Sequence, residues 1–505
     1  MKSMIGHLAT LSDQFHARQR LSLQRWRILG VLGMLAVLLV AWFLPPLWAL
    51  LTFGAVAGTL AVFAHPLVGV GMLLFTVPFG SVRTISLPDN VDITINEPLI
   101  ALIGLAWLAG MLAGRWRAPA LPTLTIPIVI ALIPMVLSAL TAESLLLSIK
   151  EISKWAELFV IYLVTATTVR SRRVLAGLVG VLLLAALAEV GIGLLQVAFR
   201  IGPPHFLAGG ILMRAHGTFG QPNPYGGYLA LILPVALAMA LMAPRPGLRL
   251  VGWGIALAIA CGILVSLSRG AWLGTLAALS LVWLLESQRN RLRAIALAYC
   301  GFTATLIVLI LGVIPEAVLS RVTDLFVYGT RLAQELRAGP NADNWAILER
   351  VSQWYAGWRM FAENPYLGVG IGNYPKAYEV YALPGWPTGV GHAHNYYLNL
   401  AAEGGVLTLI AFLLFLLVAW RLAIRAWRQS PDAWGRMLAL GLMGSLAAFS
   451  AHSLVDSLFV HSIGILLGIL FGLLSALEDV AFREPVSSSS RREHGGNAAE
   501  STVEA

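Results

Sequence analysis

The sequence predicts an all-α fold, a polytopic transmembrane helical bundle of about 12–14 spans with one large outer loop containing amphipathic helices. Three observations predict it. Of 505 residues, 58% are hydrophobic and 12% charged, and the mean hydropathy is +0.79; no soluble globular chain of this length has that balance. Apolar runs of about 17–25 residues recur, the length that crosses hydrocarbon as a helix. No alternating strand pattern is visible, so backbone groups in lipid must be satisfied within helices rather than in a closed barrel.

In order, the apolar runs fall at 28–44, 47–64, 66–81, 98–114, 121–140, 151–169, 174–199, 224–243, 250–267, 270–286, 294–313, 396–420, 437–455 and 460–479. Residues 1–27 are basic and precede an apolar run with no small-residue cleavage site, so they read as a cytoplasmic start before an uncleaved first span. Arginines then follow the even-numbered runs: Arg115 and Arg117, Arg170 to Arg173, Arg245 and Arg249, Arg289 to Arg293, Arg421 to Arg436, and Arg483 onward. The positive-inside rule puts both termini in the cytoplasm of a multi-pass inner-membrane protein. It also explains the net charge of +9. The basic residues sit in short loops between spans and do not form a nucleic-acid footprint. Cys261 and Cys300 lie in apolar runs and form no readable disulfide or metal motif.

The organisation that follows is a basic N-terminus (1–27), a transmembrane bundle (28–313), a large extracytoplasmic loop (314–393), C-terminal transmembrane helices (394–480) and a polar, low-complexity tail (481–505) read as disordered. The loop carries six basic and seven acidic side chains, a net of −1, so the positive excess lies elsewhere. Within it, Trp345, Leu348, Val351, Tyr355, Trp358 and Ala362 recur at helical spacing. Asn364-Pro365 ends that pattern. An amphipathic helix lying on the bundle or the outer interface is expected. Its aromatics suit either an interfacial belt or stacking on sugars. The glycines of LGVGIGNY (367–374) lack the strand and helix context of a nucleotide site.

Chemistry-bearing residues gather on the predicted outer side. The stretch GHAHNYYLNLAAEGGVLT (391–408) places His394 and Asn395 at the opening of an apolar helix, with Tyr397, Leu398, Ala401 and Gly405 expected on the same face. Ala401, Ala402, Gly404 and Gly405 would admit a second helix closely. A histidine at the wet end of a span is a candidate for proton transfer; the competing reading is a helix cap. His392 and His394 are two apart, share no helix face and have no evident third ligand, so no metal is expected. Arg214, among the glycines and prolines of RAHGTFGQPNPYGG, and Arg269, in the tight turn of SLSRGAW, are cations where topology disfavours them. Guanidinium suits bidentate phosphate contact; lipid-headgroup snorkelling is the alternative. His452 and Asp456, four apart, read as a proton relay or as mutual hydrogen-bond partners. Lys150 and Lys154 form a like-charge pair that calls for an anion, with Glu97 and Glu403 as possible partners.

Four stretches carry a family resemblance: RAHGTFGQPNPYGGYLA (214–230), LSRGAWLG (267–274), RVSQWYAGWRMFAENPYLGVGIGNYP (350–375) and HAHNYYLNLAAEGGVLT (392–408). With the long loop before the last, the chain resembles the O-antigen ligase and polymerase superfamily of bacterial membrane glycosyltransferases. His394, Asn395, Gly405 and Thr408 fit its histidine motif. The resemblance implies transfer of a glycan from an undecaprenyl diphosphate-linked donor to a glycan, lipid or protein acceptor hydroxyl, with inversion and without cofactor. It implies His394 as the base and Arg214 and Arg269 as diphosphate binders, and a span count nearer twelve than fourteen. Asn395, His452, Asp456, Lys150 and Lys154 stand as supporting candidates. Partners are then the donor, the acceptor and membrane lipids, with no nucleic acid. Transport of a small anion such as bicarbonate, or flipping of a lipid-linked glycan, are the alternatives. Both need polar residues through the whole bilayer, and here they collect on one side.

Overall fold

The computed structural model describes residues 45–80, 94–115, 121–285, 331–332, 334–335, 344–386 and 389–480, with the backbone alone of 85–87, 91–93, 346 and 481–483. The apolar runs 28–44 and 294–313 and the tail after 483 lie outside the described residues. Two units are distinguished, Met1–His65 and Pro66–Ala505. In the first, helix α1 (Pro46–Ala64) opens on proline and exposes Leu47, Leu50, Phe53 and Leu60, as a helix facing hydrocarbon does.

The second unit is the all-α bundle that the sequence predicts. Its helices are α2 (Pro66–Phe79), α3 (Asn96–Leu112), α4 (Thr125–Ser138), α5 (Leu145–Thr168), α6 (Arg172–Phe199), α7 (Pro222–Met242), α8 (Pro246–Ser266) and α9 (Arg269–Leu285), then α10 (Trp345–Glu363), α11 (Tyr374–Tyr381), α12 (Tyr396–Gln429), α13 (Ala433–His452) and α14 (Ile463–Arg483). Two short antiparallel ribbons interrupt them, β1 (Ile85–Leu87) with β2 (Val91–Ile93) and β3 (Leu207–Ala208) with β4 (Leu212–Met213). Among the described residues, six helices are long and apolar enough to cross a membrane: α1, α6, α7, α8, α12 and α14. α2, α3, α4 and α9 are shorter and apolar.

α7 and α14 are buried on nearly every side. α7 packs on α8, α9 and α13, and α14 packs on α5. Hydrophobicity alone cannot drive such crossings in lipid, so close backbone approach must. Accordingly, a Cβ on Gly252 of α8 would lie 2.5 Å from Ala240 N, and one on Gly468 of α14 would lie 2.7 Å from Leu158 O. α6 and α8 instead present Leu184, Leu195, Leu250 and Leu257 outward.

The two ends of the bundle differ. At one, arginines that the sequence places after even-numbered runs meet acids: Arg172 with Asp432, Arg425 with Glu478, and Arg170 with Asp479 at 3.6 Å. At the other end lie the turns 139–144, 200–221, 364–374, 389–395 and 453–462, with 139–144 hydrogen-bonded to 364–374 and 389–395 to 453–462.

α10 forms where the periodicity predicts and stops at Asn364, and the face it buries is made mostly of residues other than the aromatics. Leu348, Ser352, Gln353, Ala356 and Met360 are buried, while Trp345, Tyr355 and Trp358 are exposed. The aromatic stripe read from the sequence mostly faces away from the bundle, because Gly357 and Ala356 allow closer contact with Ala393 and Leu398. α12 contains a break at Gly405, with φ 69° and ψ −173°. The helical bond from Val406 to Ala402 is replaced on both sides: Val406 N donates to Pro365 O at 2.8 Å, and Ala402 O accepts from Val369 N at 3.0 Å. The small residues 401–405 thus admit the loop 364–369, and Ala402 also packs with Ala356 and Met360 of α10. The glycines of LGVGIGNY serve the same docking. A Cβ on Gly368 would lie 2.4 Å from Glu403 O, and one on Gly370 would lie 2.5 Å from Ala142 Cα.

Candidate active site

His394 does not lie on α12, as the sequence reading expected. It precedes the helix with φ 49°, so it shares no face with Tyr397 or Ala401. Asn395 is the N-cap, its side-chain oxygen accepting from Leu398 N at 3.0 Å; this is the structural role open to an Asn at that place. The loop is held from both flanks. Ala393 N donates to Asn399 Oδ1 at 3.0 Å, Asn399 donates to Glu403 at 3.0 Å, and Tyr396 N donates to Ser453 O at 2.8 Å. Trp354 of α10 donates its indole N–H to His394 O at 3.3 Å.

This fixes the imidazole against Asp456. His394 Nδ1 lies 3.0 Å from Asp456 Oδ1, and the carboxylate is buried. Burial disfavours that carboxylate, yet the hydrogen bond from His394 and the positive charge around it, Arg350 included, hold its pKa well below the usual range. An ionised carboxylate only accepts, so Nδ1 donates to Asp456 and Nε2 is the ring nitrogen left for a substrate proton. The segment carrying Asp456 is clamped by Phe459, which stacks on Trp155 at 4.9 Å and on Tyr396 at 4.7 Å between centroids. Lys154 donates to Phe459 O at 3.1 Å and pairs with Glu151.

The second carboxylate oxygen leads to an arginine. Asn223 Nδ2 donates to Asp456 Oδ2 at 2.9 Å, and Asn223 Oδ1 accepts from Arg214 Nη2 at 3.2 Å. Arg214 Nε donates to Ser266 O at 3.0 Å, at the end of α8 and three residues before Arg269 opens α9. Segment 214–218 is itself read by α6. Gln196 binds the backbone of His216 and Gly217, and Glu189 accepts from Thr218 N at 3.0 Å and Thr218 Oγ1 at 2.7 Å.

The fold therefore brings His394, Asp456 and Arg214 into one connected network and places Arg269 beside its anchor. His452 does not bond the Asp456 side chain; it ends α13 buried beneath Gly227 and Gly270, whose Cβ atoms would lie 3.1 Å from its ring. Lys154 sits at the margin, with Lys150 one turn earlier on α5. Glu97 accepts from Thr94, and Glu403 accepts from Asn399 and from Tyr374 N at 3.0 Å; both serve their own loops. Asn223 and Arg350 were not singled out by sequence. Asn223 stood within QPNPY, where two flanking prolines marked a rigid helix start; for Arg350 no local signal separates it from the other loop cations.

His392 and His394 do have a third donor beside them: Asp456 supplies it, and the three ligand atoms lie within 4.8 Å of one another. These residues could hold a metal ion. His392 lies 3.9 Å from Asp456 Oδ1, and burial together with neighbouring His394 pushes its pKa down to about 4, which leaves it a neutral donor at pH 7.

No curated protein matches the chain. Residues 254–413, which run from α8 through the break in α12, match the family model described as O-antigen ligase. Together with the all-α membrane bundle around it, that matched domain supports a place in the O-antigen ligase and polymerase superfamily.

Proposed function

We propose that the protein transfers a glycan from an undecaprenyl diphosphate-linked donor to an acceptor hydroxyl at the outer face of the inner membrane. The observation that carries this reading is the hydrogen-bonded line His394–Asp456–Asn223–Arg214. It joins a candidate base to a candidate diphosphate cation. His394 Nε2 takes the proton of the acceptor hydroxyl as its oxygen attacks the anomeric carbon. The bond from that carbon to the diphosphate oxygen breaks on the opposite side, which inverts the centre. Undecaprenyl diphosphate leaves with the electron pair, and Arg214 and Arg269 stabilise its charge. Asp456 stabilises the imidazolium until the proton is released to water.

Transport would call for ionisable groups along the bundle. The buried carboxylates and histidines among the described residues are Glu189, His216, Glu403, His452 and Asp456. Each is tied to the turns at the His394 end, which supports transfer over an ion path.

The test is reconstitution with an undecaprenyl diphosphate-linked glycan and candidate acceptors. Wild type transfers glycan, and His394→Ala, correctly folded, does not; retained transfer in that variant rejects the base. Arg269→Lys is damaging, because a point charge does not replace a planar fork. Stripping divalent ions with a chelator leaves transfer intact, since the step above draws no group from a metal. Loss of transfer, restored by one added ion, would instead assign His392, His394 and Asp456 as its ligands.

A further inference from the structure

We infer that Asn223 couples the donor cation to the catalytic pair, so that the base is aligned only when Arg214 stands in its donor-binding position. This rests on the proposed transfer reaction and adds to it a residue that contacts both halves of the site. Its amide is used at both ends. The oxygen faces Arg214 Nη2 at 3.2 Å, and the nitrogen faces Asp456 Oδ2 at 2.9 Å. Arg214 has only donors and ionised Asp456 only acceptors, so one orientation of the amide satisfies both neighbours and its flip satisfies neither.

The residue type follows from this demand. A hydroxyl is too short to span both partners, a carboxylate cannot donate, and a glutamine is one methylene too long for the gap. The backbone is fixed to match. Asn223 lies in the first turn of α7 between Pro222 and Pro224, where the missing N–H groups cost no helical bond. Arg214 also bonds Ser266 O and Leu267 O, and Asp456 also bonds His394 and Ser457 N, so Asn223 is the side chain that links these two sets of bonds. Displacing Arg214 therefore moves the amide, and the amide moves the carboxylate that orients His394.

Asn223 is a positioning residue by this account, and its removal reads differently from loss of a packing contact. Asn223→Ala breaks both links. It is expected to raise the donor KM and to lower kcat, each by roughly tenfold to 10²-fold, the scale of hydrogen bonds to charged groups. Asn223→Asp has the same size and separates the two links. Its carboxylate still accepts from Arg214, so the donor KM stays near wild type. It cannot donate to Asp456 while ionised, so kcat falls. Two carboxylates at this distance cannot both stay ionised at low cost; as the pH drops, the new carboxyl group takes a proton and regains a donor. The ratio of variant to wild-type kcat therefore rises as pH falls. The other charged or titratable groups facing Asp456 are His392 and His394 from the 389–395 loop, Arg350 from α10 and His452 from α13.

The experiment measures donor KM and kcat from pH 5 to 9 for wild type, Asn223→Ala and Asn223→Asp, with thermal unfolding to establish that each is folded. A rising ratio for Asn223→Asp with an unchanged donor KM supports the coupling. A ratio flat with pH, or equal losses in KM and kcat for both folded variants, overturns it while leaving glycan transfer standing. A wild type that transfers nothing to any acceptor removes the transfer reading and the coupling with it.

Discussion

Asp456 is the residue on which the candidate chemistry turns. Its two oxygens serve different partners, His394 on one side and Asn223 on the other. Replacing it by Asn keeps the volume and removes the charge. The amide can still accept from Nδ1–H, but an Asn side chain rotated to donate holds the wrong tautomer of His394, and nothing stabilises the imidazolium that forms. Asp456→Asn is expected to lower kcat by roughly 10²–10⁴-fold, the range of general-base assistance, with a far smaller effect on donor KM. Steady-state kinetics with saturating acceptor checks this. An equal loss in both parameters would assign Asp456 to substrate binding. At this scale the sequence was informative about residue types and silent about partners. His394, Arg214 and Arg269 stood out because topology made them unusual. That Asp456 faces His394 rather than His452 depends on a contact 62 residues apart, and its bond to Asn223 on one 233 apart. Helix packing sets such contacts, and local spacing does not.

At the scale of elements, the loop before α12 and the break within it form one device. Val406 and Ala402 exchange their mutual helical bond for Pro365 and Val369, so the loop 364–369 is stitched into the helix at no loss of backbone hydrogen bonds. The conformation at Gly405 belongs to a region essentially closed to other residues, and an added Cβ would lie 2.1 Å from Tyr366 O. Gly405→Ala is expected to destabilise the protein by about 2–3 kcal/mol or more, combining backbone strain with that clash. It should also reduce transfer, although Gly405 contacts neither His394 nor Asp456, because Glu403 and Asn399 on the same segment hold the backbone at Ala393. A lowered unfolding midpoint together with reduced transfer is the expected result; an unchanged midpoint would mean the loop is not anchored here. The motif glycine was visible in the sequence. Its reason was not, because small residues in an apolar helix ordinarily signal another helix. The buried face of α10 has a similar origin: aromatic periodicity marks a helix, but burial in this fold goes mostly to residues between the aromatics, such as Ala356.

Across the whole molecule, the ion pairs at one end and the His394 network at the other divide the bundle chemically. Alternation of arginines made that division legible without any contact information, since it reflects insertion rather than packing. The division also predicts an asymmetric response to acid. His392, in the network, has a folded pKa of about 4 against roughly 6.5 in an unfolded chain. Between those values the unfolded chain binds more protons than the folded one, so stability falls as pH drops through that window and levels off below it. Asp456, held low in the folded state, adds its own loss only below the ordinary carboxylate range. Unfolding midpoints in lipid at pH 7.5 and pH 5 should therefore differ, with the lower midpoint at pH 5. His392→Gln cannot charge, so its midpoint should change less over the same interval. Hydrogen exchange should show the acid-sensitive amides at 389–395 and 453–462, with those near the Arg172–Asp432 pair unaffected until Asp432 itself titrates. Equal pH sensitivity in wild type and His392→Gln would trace the acid response to a different group.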